Sequence, residues 1–268
     1  MKKEITFNSL KRFNILMGAF HLFQGILILI LGASVDKLGD FKMTIYNHFL
    51  VYKDTPDGNG YLDFARSELF SVPFFVLVAL FFFICAIAHT IVSIPKKTNN
   101  IYNKDLEKGI NKFRWFEYAL SSSIMICLIA YLFGISDISS LVLIFIVNAA
   151  MNLFGLLMEE MNSGKKKGEM NWSPFIYGGI AGIAPWLAII FYMTGANPET
   201  TAQTPWFVWA IVISYFITFN SFPINMILQY RKKGKFQNYL YGERGYIILS
   251  LVSKTVLAWL VFAGAMQP

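Results

Sequence analysis

The sequence predicts an all-α membrane protein, a bundle of seven transmembrane helices. Of its 268 residues, 56% are apolar and only 15% are charged, whereas soluble domains carry about 25% charged residues. The mean hydropathy is +0.51. Seven apolar runs are each close to the ~20 residues that a helix needs to cross a bilayer. The net charge of +7 is typical of basic cytoplasmic loops, and we do not expect nucleic-acid binding.

Each apolar run is expected to be a helix, because hydrocarbon offers no partner for free backbone groups. The first run is too long for a signal peptide and lacks a cleavage pattern, so it is expected to remain as a span. Pro73, Pro185 and Pro223 fall inside runs and are expected to kink them. We expect residues 1–268 to form one domain whose spans are 13–33, 69–94, 113–135, 139–161, 174–195, 205–228 and 245–265.

Lysine and arginine predict the orientation. With the N-terminus inside, 18 of the 23 basic residues fall in cytoplasmic segments and four fall outside. The cytoplasmic ones, Arg114 among them, lie in residues 2–12, 96–114, 165–167 and 231–244. Because cytoplasmic loops carry the excess of Lys and Arg, the sequence predicts a multi-pass cell-membrane protein with a cytoplasmic N-terminus and an extracellular C-terminus.

The first extracellular loop, residues 34–68, is long for a connector. Residues 43–52 are rich in β-branched and aromatic side chains, and DTPDGNGYLDF follows with Asp-Gly and Asn-Gly in succession. This combination predicts a β-hairpin. A solvated lid and an element that contacts a partner are both consistent with the pattern.

Lys254 is the residue around which the polar chemistry is organised. It lies in the middle of YIILSLVSKTVLAWLVF, residues 246–262, where a charge costs about 2.5–3.5 kcal/mol on insertion scales. Ser250 lies one helical turn earlier on the same face. In the other spans Glu117 is the one comparable charge of opposite sign. Such a pair could be a structural ion pair, or the amine could form a Schiff base with an aldehyde, with Glu117 as the counter-anion.

Further polar residues fall at matching depths in the cytoplasmic half. They are His21, together with Gln24, on the first span and His89 on the second. Separately, the fourth span carries a polar pair, Asn148 and Asn152, at a spacing of four residues. A single histidine in a helix is more often a hydrogen-bonded core residue. Two of them at the depth of a buried carboxylate make a functional role as plausible as a structural one.

Cysteines and aromatic residues complete the candidate groups. Cys85 and Cys127 lie in apolar runs and show neither a disulfide framework nor metal-ligand spacing. A long conjugated aldehyde would need an aromatic slot, which could equally be ordinary membrane packing. Spans five and six offer Trp186, Tyr192, Tyr215, Phe219 and Phe222.

Two motifs carry a resemblance to a known family. The third span opens with RWFEY, residues 114–118, followed by three serines, residues 121–123, and the seventh reads SLVSK with Ser250 four residues before Lys254. Seven spans with a lysine of this kind in the last resemble microbial rhodopsins, and these details resemble heliorhodopsins in particular. The inverted orientation, the long first outer loop and the two inner histidines also fit that family.

The resemblance implies a set of site residues. All-trans retinal would be bound to Lys254 as a protonated Schiff base, with Glu117 as sole counterion and Ser250 interacting with that counterion. His21 and His89 would belong to a polar network nearby. Cys85 stands where the family pattern suggests a small polar residue. The positions that match the retinal pocket are Tyr118, Ser122, Asn148, Phe219 and Met226.

The resemblance also implies a function, a light-sensing photoreceptor that is not an enzyme. It would have a slow photocycle, signal without pumping ions to a downstream partner that the sequence does not indicate, and form homodimers through residues 34–68. Leu128 and Ser250 stand where outward proton pumps of the related family carry carboxylates. The alternatives are a light-driven ion transporter or channel, and a non-photochemical protein whose Lys–Glu pair is structural.

Overall fold

Seven helices are long and apolar enough to cross a membrane, which confirms the predicted class. The computed structural model describes residues 5–166, 168–195 and 206–265; Lys2, Lys3, Lys167 and Pro205, used in the predictions above, lie outside them. We number the long helices in chain order: α1 Phe7–Ser34, α2 Phe74–Ser93, α3 Lys112–Leu132, α4 Ile138–Asn162, α5 Ser173–Thr194, α6 Trp206–Arg231 and α7 Tyr239–Ala265. The bundle ends are called inner and outer, after the predicted cytoplasmic and extracellular sides.

Two helices begin six residues earlier than the apolar runs suggest, because polar groups at their starts have partners. At the start of α1, the Thr6 hydroxyl accepts from the Ser9 backbone N–H at 3.2 Å and the Ser9 hydroxyl accepts from the Thr6 N–H at 2.9 Å. This reciprocal capping satisfies backbone donors of the first turn. At the start of α7, Glu243 is buried in an ion pair with Arg114.

The predicted hairpin is present and is longer than expected. Strands β1 (Lys42–Asp54) and β2 (Gly60–Pro73) pair antiparallel. The predicted second span is therefore wrong at its start, since residues 69–73 belong to β2 and α2 begins at Phe74. Pro73 is the N-cap of α2 and does not kink it, and a proline at this position removes no helical hydrogen bond. Pro185 and Pro223 do lie inside α5 and α6.

The hairpin stem is fixed to the outer ends of α3 and α4. The Tyr46 backbone N–H donates to the Ser136 carbonyl at 3.0 Å. The Thr44 N–H donates to the Tyr131 hydroxyl at 3.0 Å, and that hydroxyl donates to the Lys42 carbonyl at 3.1 Å. These bonds hold the stem against the bundle, while the distal part projects from it with exposed apolar side chains: Phe49, Leu50, Tyr52, Tyr61, Leu62 and Phe64.

Most helices pack against their chain neighbours, and α7 closes the bundle by packing against both α6 and α1. The outer half is filled by a continuous apolar core that includes Ile28, Phe82, Ile126 and Ile129. Large apolar side chains on the opposite helix faces are exposed, as expected where hydrocarbon replaces water as the solvent. Near the inner end, Gly18 lets α1 approach α2 closely, because a Cβ on it would lie 3.0 Å from the His89 Cβ.

An additional helix that the sequence analysis did not predict connects α2 and α3 at the inner end. This surface helix, Lys96–Glu107, is amphipathic. Asn99, Tyr102 and Leu106 are buried on one face, and Lys97 and Lys104 are exposed on the other. Its charges exclude it from the apolar runs, yet its inward face reaches the polar interior described below.

Candidate functional site

Lys254 and Glu117 meet in the interior, as the sequence predicted. The Lys254 Nζ donates to Glu117 Oε1 at 3.1 Å and to the Ser250 hydroxyl at 2.8 Å. The two charged side chains are 3% and 10% exposed. Ser250 is placed by the four-residue repeat of α7, while Glu117 reaches the amine from the second turn of α3. Two buried groups of opposite charge therefore share one hydrogen bond between the third and seventh spans.

Glu117 has two further hydrogen-bond donors that sequence reasoning missed. The Ser121 hydroxyl donates to Oε1 at 2.5 Å, and the Cys85 thiol donates to the same oxygen at 2.8 Å. The four-residue spacing of Ser121 in α3 was a usable signal. Cys85 fills the position where a small polar residue was expected. Ser250 is bonded to Lys254, and among the described hydrogen bonds it is not a direct partner of Glu117, contrary to the role the resemblance implied.

The two histidines lie together beside this pair. The rings of His21 and His89 are stacked with centroids 5.5 Å apart and an interplanar angle of 14°. The Nδ1 of His89 lies 2.8 Å from the Asn14 amide oxygen, so this nitrogen is the donor. Both ring nitrogens of His21 are buried and have no hydrogen-bond partner among the described residues. Gln24, one turn further along α1, is also buried.

A cavity of about 470 Å³ extends from Lys254 toward α5 and α6, and its volume is within the range of small-molecule sites. Four of the predicted pocket residues line it: Tyr118, Ser122, Phe219 and Met226. The aromatic slot is also present and is formed by Trp186, Tyr215, Phe219 and Phe222. Tyr192 was predicted to belong to the slot, but it is 51% exposed on the outer part of α5 and is not in the lining.

Asparagines on α4 hold the polar edge of the cavity in place. The Asn148 side-chain amide donates to the Ser122 and Ser123 hydroxyls at 2.9 and 3.0 Å. The Asn152 amide donates to Ser122 at 3.0 Å and to the Asn148 carbonyl at 2.8 Å. Asn152 lines the cavity and Asn148 does not, so Asn148 acts on the cavity through Ser122.

The prediction that Glu117 is the one deep carboxylate is wrong. Glu159 of α4 and Glu243 of α7 are both buried at the inner end, and each forms an ion pair with Arg114. Arg114, assigned above to a cytoplasmic loop, is itself buried and stacks 4.0 Å from the centre of the Tyr246 ring. Arg114, Glu159 and Glu243 are called the inner ion cluster. Each charged residue lies near a helix end, where sequence position alone suggests exposure.

The described residues fit retinal as the ligand. The cavity is mainly apolar and aromatic, it is reached by one buried amine, and a carboxylate lies 3.1 Å from that amine to balance a cation. A seven-helix membrane bundle with this lysine on its last helix defines the class of retinal-binding, microbial-rhodopsin-like photoreceptors.

Comparison with protein families gives the same class and a more specific assignment. The heliorhodopsin family model matches residues 10–266, nearly the entire chain. The chain therefore belongs to the heliorhodopsin family. A comparison with curated protein sequences gave no match.

Proposed function

We propose that the protein senses light through all-trans retinal bound to Lys254 as a protonated Schiff base, with Glu117 as its counterion. The observation that carries this proposal is that the Lys254 nitrogen lines the apolar cavity and is hydrogen-bonded to Glu117. Retinal supplies the light-absorbing polyene, and the chain supplies the charge balance, the shape and the dryness of its site. Visible absorbance after expression with retinal, compared between the wild type and Lys254→Ala, tests the assignment.

The cavity residues would fix the position and shape of the ligand. The ring of Trp186 lies 5.7 Å from that of Phe219, nearly perpendicular to it, and the Tyr118 ring meets Phe222 edge-on at 5.4 Å. The Tyr118 hydroxyl donates to the Tyr246 carbonyl at 2.9 Å, which ties this wall to α7. Since packed aromatic side chains have few alternative rotamers, a change in ligand shape is passed to the helices that carry them.

The role we propose is sensory, with a slow photocycle and no ion pumping, and without catalysis. The polar groups around Lys254 are all in the inner half: Glu117 lies in the second turn of α3, and His89 lies in the second turn from the inner end of α2. A proton that leaves the Lys254 nitrogen therefore has acceptors on one side of the membrane, and its return resets the site.

We expect illumination to move no net charge across the membrane. The outer half of α3 after Ser123 reads IMICLIAYL and is packed in the apolar core with Phe81, Phe82 and Val261, which leaves a proton few groups to carry it outward. The test is illuminated vesicles read with a pH electrode, together with a voltage-clamped cell. A sustained photocurrent, or a pH change abolished by a protonophore, would support the alternative of a light-driven transporter or channel.

We propose further that the protein is a single domain with its N-terminus in the cytoplasm, and that it forms a homodimer. The exposed apolar side chains of the distal hairpin support the dimer, because surface patches of this kind mark protein contacts. Leu50, Leu62 and Phe64 are 61%, 63% and 64% exposed on the projecting part. The downstream partner that receives the light signal is a separate molecule of unknown class.

Removing the distal hairpin is expected to increase the monomer fraction in detergent. His48 and Arg66 are opposite each other in the sheet, so a short Gly/Ser turn can join them while the stem bonds to α3 and α4 remain. The control is Lys53→Ser with Asp63→Ser, which removes an exposed ion pair of the same hairpin and leaves the apolar residues. Mass measurement that finds an unchanged dimer after truncation would place the interface elsewhere.

A further inference from the structure

The buried polar layer at the inner end has an excess of one negative charge. Among the described residues it holds two basic groups, Lys254 and Arg114, and three carboxylates, Glu117, Glu159 and Glu243. Lys254 and Glu117 balance each other, so the excess lies in the inner ion cluster. An uncompensated charge in a low-dielectric interior is costly, which makes this cluster the place in the layer where an arriving proton is best stabilised. The other titratable groups that face this layer are His21, His89, Tyr102, Tyr118, Tyr239, Tyr246 and Cys85.

Glu159 and Glu243 differ in how fully their oxygens are hydrogen-bonded. Glu159 accepts from the Asn111 backbone N–H at 2.8 Å, the Trp115 indole at 2.7 Å and the Tyr239 hydroxyl at 2.9 Å, in addition to Arg114. Four donors stabilise its ionised form.

Glu243 has a weaker set of donors. It accepts from the Asn111 side chain at 2.5 Å and from Arg114, and its third donor, the Tyr102 hydroxyl, is 3.4 Å away. The ionised form of Glu243 is therefore less fully hydrogen-bonded than that of Glu159.

Glu243 is also the carboxylate of the inner ion cluster that shares a cavity with the residues around Lys254. A cavity of about 40 Å³ has the side chains of Glu117, His89 and Ser250 as well as Glu243 and Tyr102 in its lining, and Glu159 does not line it. A cavity of this volume with several polar partners is large enough for a water molecule.

A chain of side chains runs beside this cavity. His89 bonds Asn14, the Asn14 amide lies 3.5 Å from the Tyr102 hydroxyl, and that hydroxyl faces Glu243. Two connections therefore link the residues around Lys254 to Glu243: the shared cavity, and the series of side chains His89, Asn14 and Tyr102.

We propose that Glu243 is the residue that holds the mobile proton of this photoreceptor. The proton leaves the Lys254 nitrogen, arrives on a carboxylate oxygen of Glu243, and returns to the same nitrogen, so the number of protons in the protein is unchanged over the cycle. The inference rests on the proposed function, since it requires that light releases the proton. The transfer leaves the net charge of the whole layer unchanged, because it removes the positive charge of Lys254 together with the negative charge of Glu243, and it neutralises the inner ion cluster itself.

The test is light-minus-dark infrared spectroscopy of the retinal-loaded protein in lipid vesicles. We expect a carbonyl band of a newly protonated carboxylic acid, shifted to lower frequency in deuterium oxide, in the wild type. The band should be lost in Glu243→Gln and shifted in Glu243→Asp. It should persist in Glu160→Gln, the matched control, because Glu160 is the adjacent carboxylate on the same helix as Glu159, forms an exposed ion pair with Lys112 and lies outside the inner ion cluster.

A second measurement uses the retinal-free protein. On acidification, a buried carboxylic acid band should grow in the wild type and in Glu160→Gln, and it should be absent in Glu243→Gln. The proposal is overturned if Glu243→Gln keeps either band, or if the visible spectrum shows proton loss without a carboxyl band in the wild type. If no visible band forms with retinal at all, the proposed function fails, and the retinal-free titration still decides whether Glu243 is the proton-binding carboxylate.

Discussion

Lys254→Ala expressed with retinal is expected to have no visible absorption band. Among the described residues that line the large cavity, Lys254 carries the one amine that can form a Schiff base with an aldehyde, and alanine cannot replace it. The expected effect is a complete loss of colour at equal protein amount. Absorbance of the purified protein measures it, with the coloured wild type as reference. Covalent retinal with an unchanged spectrum in the variant would contradict the assignment of Lys254.

Loss of colour could also follow from misfolding, so the variant needs a charge-matched control. Removing Lys254 leaves Glu117 buried without its cation, and breaking a buried pair in this way costs about 3–5 kcal/mol. Combining Lys254→Ala with Glu117→Gln removes both charges. The double variant should be more heat-stable than Lys254→Ala and equally colourless, which separates the loss of the attachment site from the loss of the fold.

Glu117→Gln is expected to make the chromophore lose its proton at a lower pH. A carboxylate 3.1 Å from the Lys254 nitrogen favours the cationic form of that nitrogen, and a neutral amide does not. An opposite charge at this distance moves a titration by about 1–3 pH units. Alkaline titration of the visible band measures the change, and the band itself should shift or depend on an added anion.

The matched control for Glu117→Gln is Glu160→Gln. Glu160 forms an ion pair with Lys112 at 3.4 Å, and both side chains are more than two-fifths exposed. Screening by solvent makes such a pair worth little, so the titration and the spectrum of this variant should match the wild type. An unaltered titration in Glu117→Gln would mean that another group is the counterion.

The sequence was sufficient for the features that depend on apolar length and on isolated charges. The seven helices and the meeting of Lys254 with Glu117 follow from the cost of polar groups in hydrocarbon. The hairpin follows from its turn residues and its β-branched and aromatic side chains. The position of each histidine along its helix was enough to predict that His21 and His89 lie at the same depth in the membrane, because the rise per residue is constant.

The parts that sequence reasoning missed depend on partners that are distant in the chain. Glu243 and Arg114 look like loop charges until α3 and α7 bring them within ion-pair distance. Tyr102 lies in a segment too polar for a span, and its burial depends on the inner ends of α1 and α7. The late start of α2 was also missed, because Leu69 and Phe70 are as apolar as the helix and only their pairing with β1 assigns them to a strand.

The direct passage from β2 into α2 gives the outer surface a mechanical connection to the interior. Pro73 ends the strand and Phe74 begins the helix, so no flexible linker separates the two. The same helix carries Cys85, which donates to Glu117, and His89, which belongs to the histidine stack. A force applied to the hairpin tip by a neighbouring molecule is therefore transmitted to the helix that contacts the Lys254–Glu117 pair.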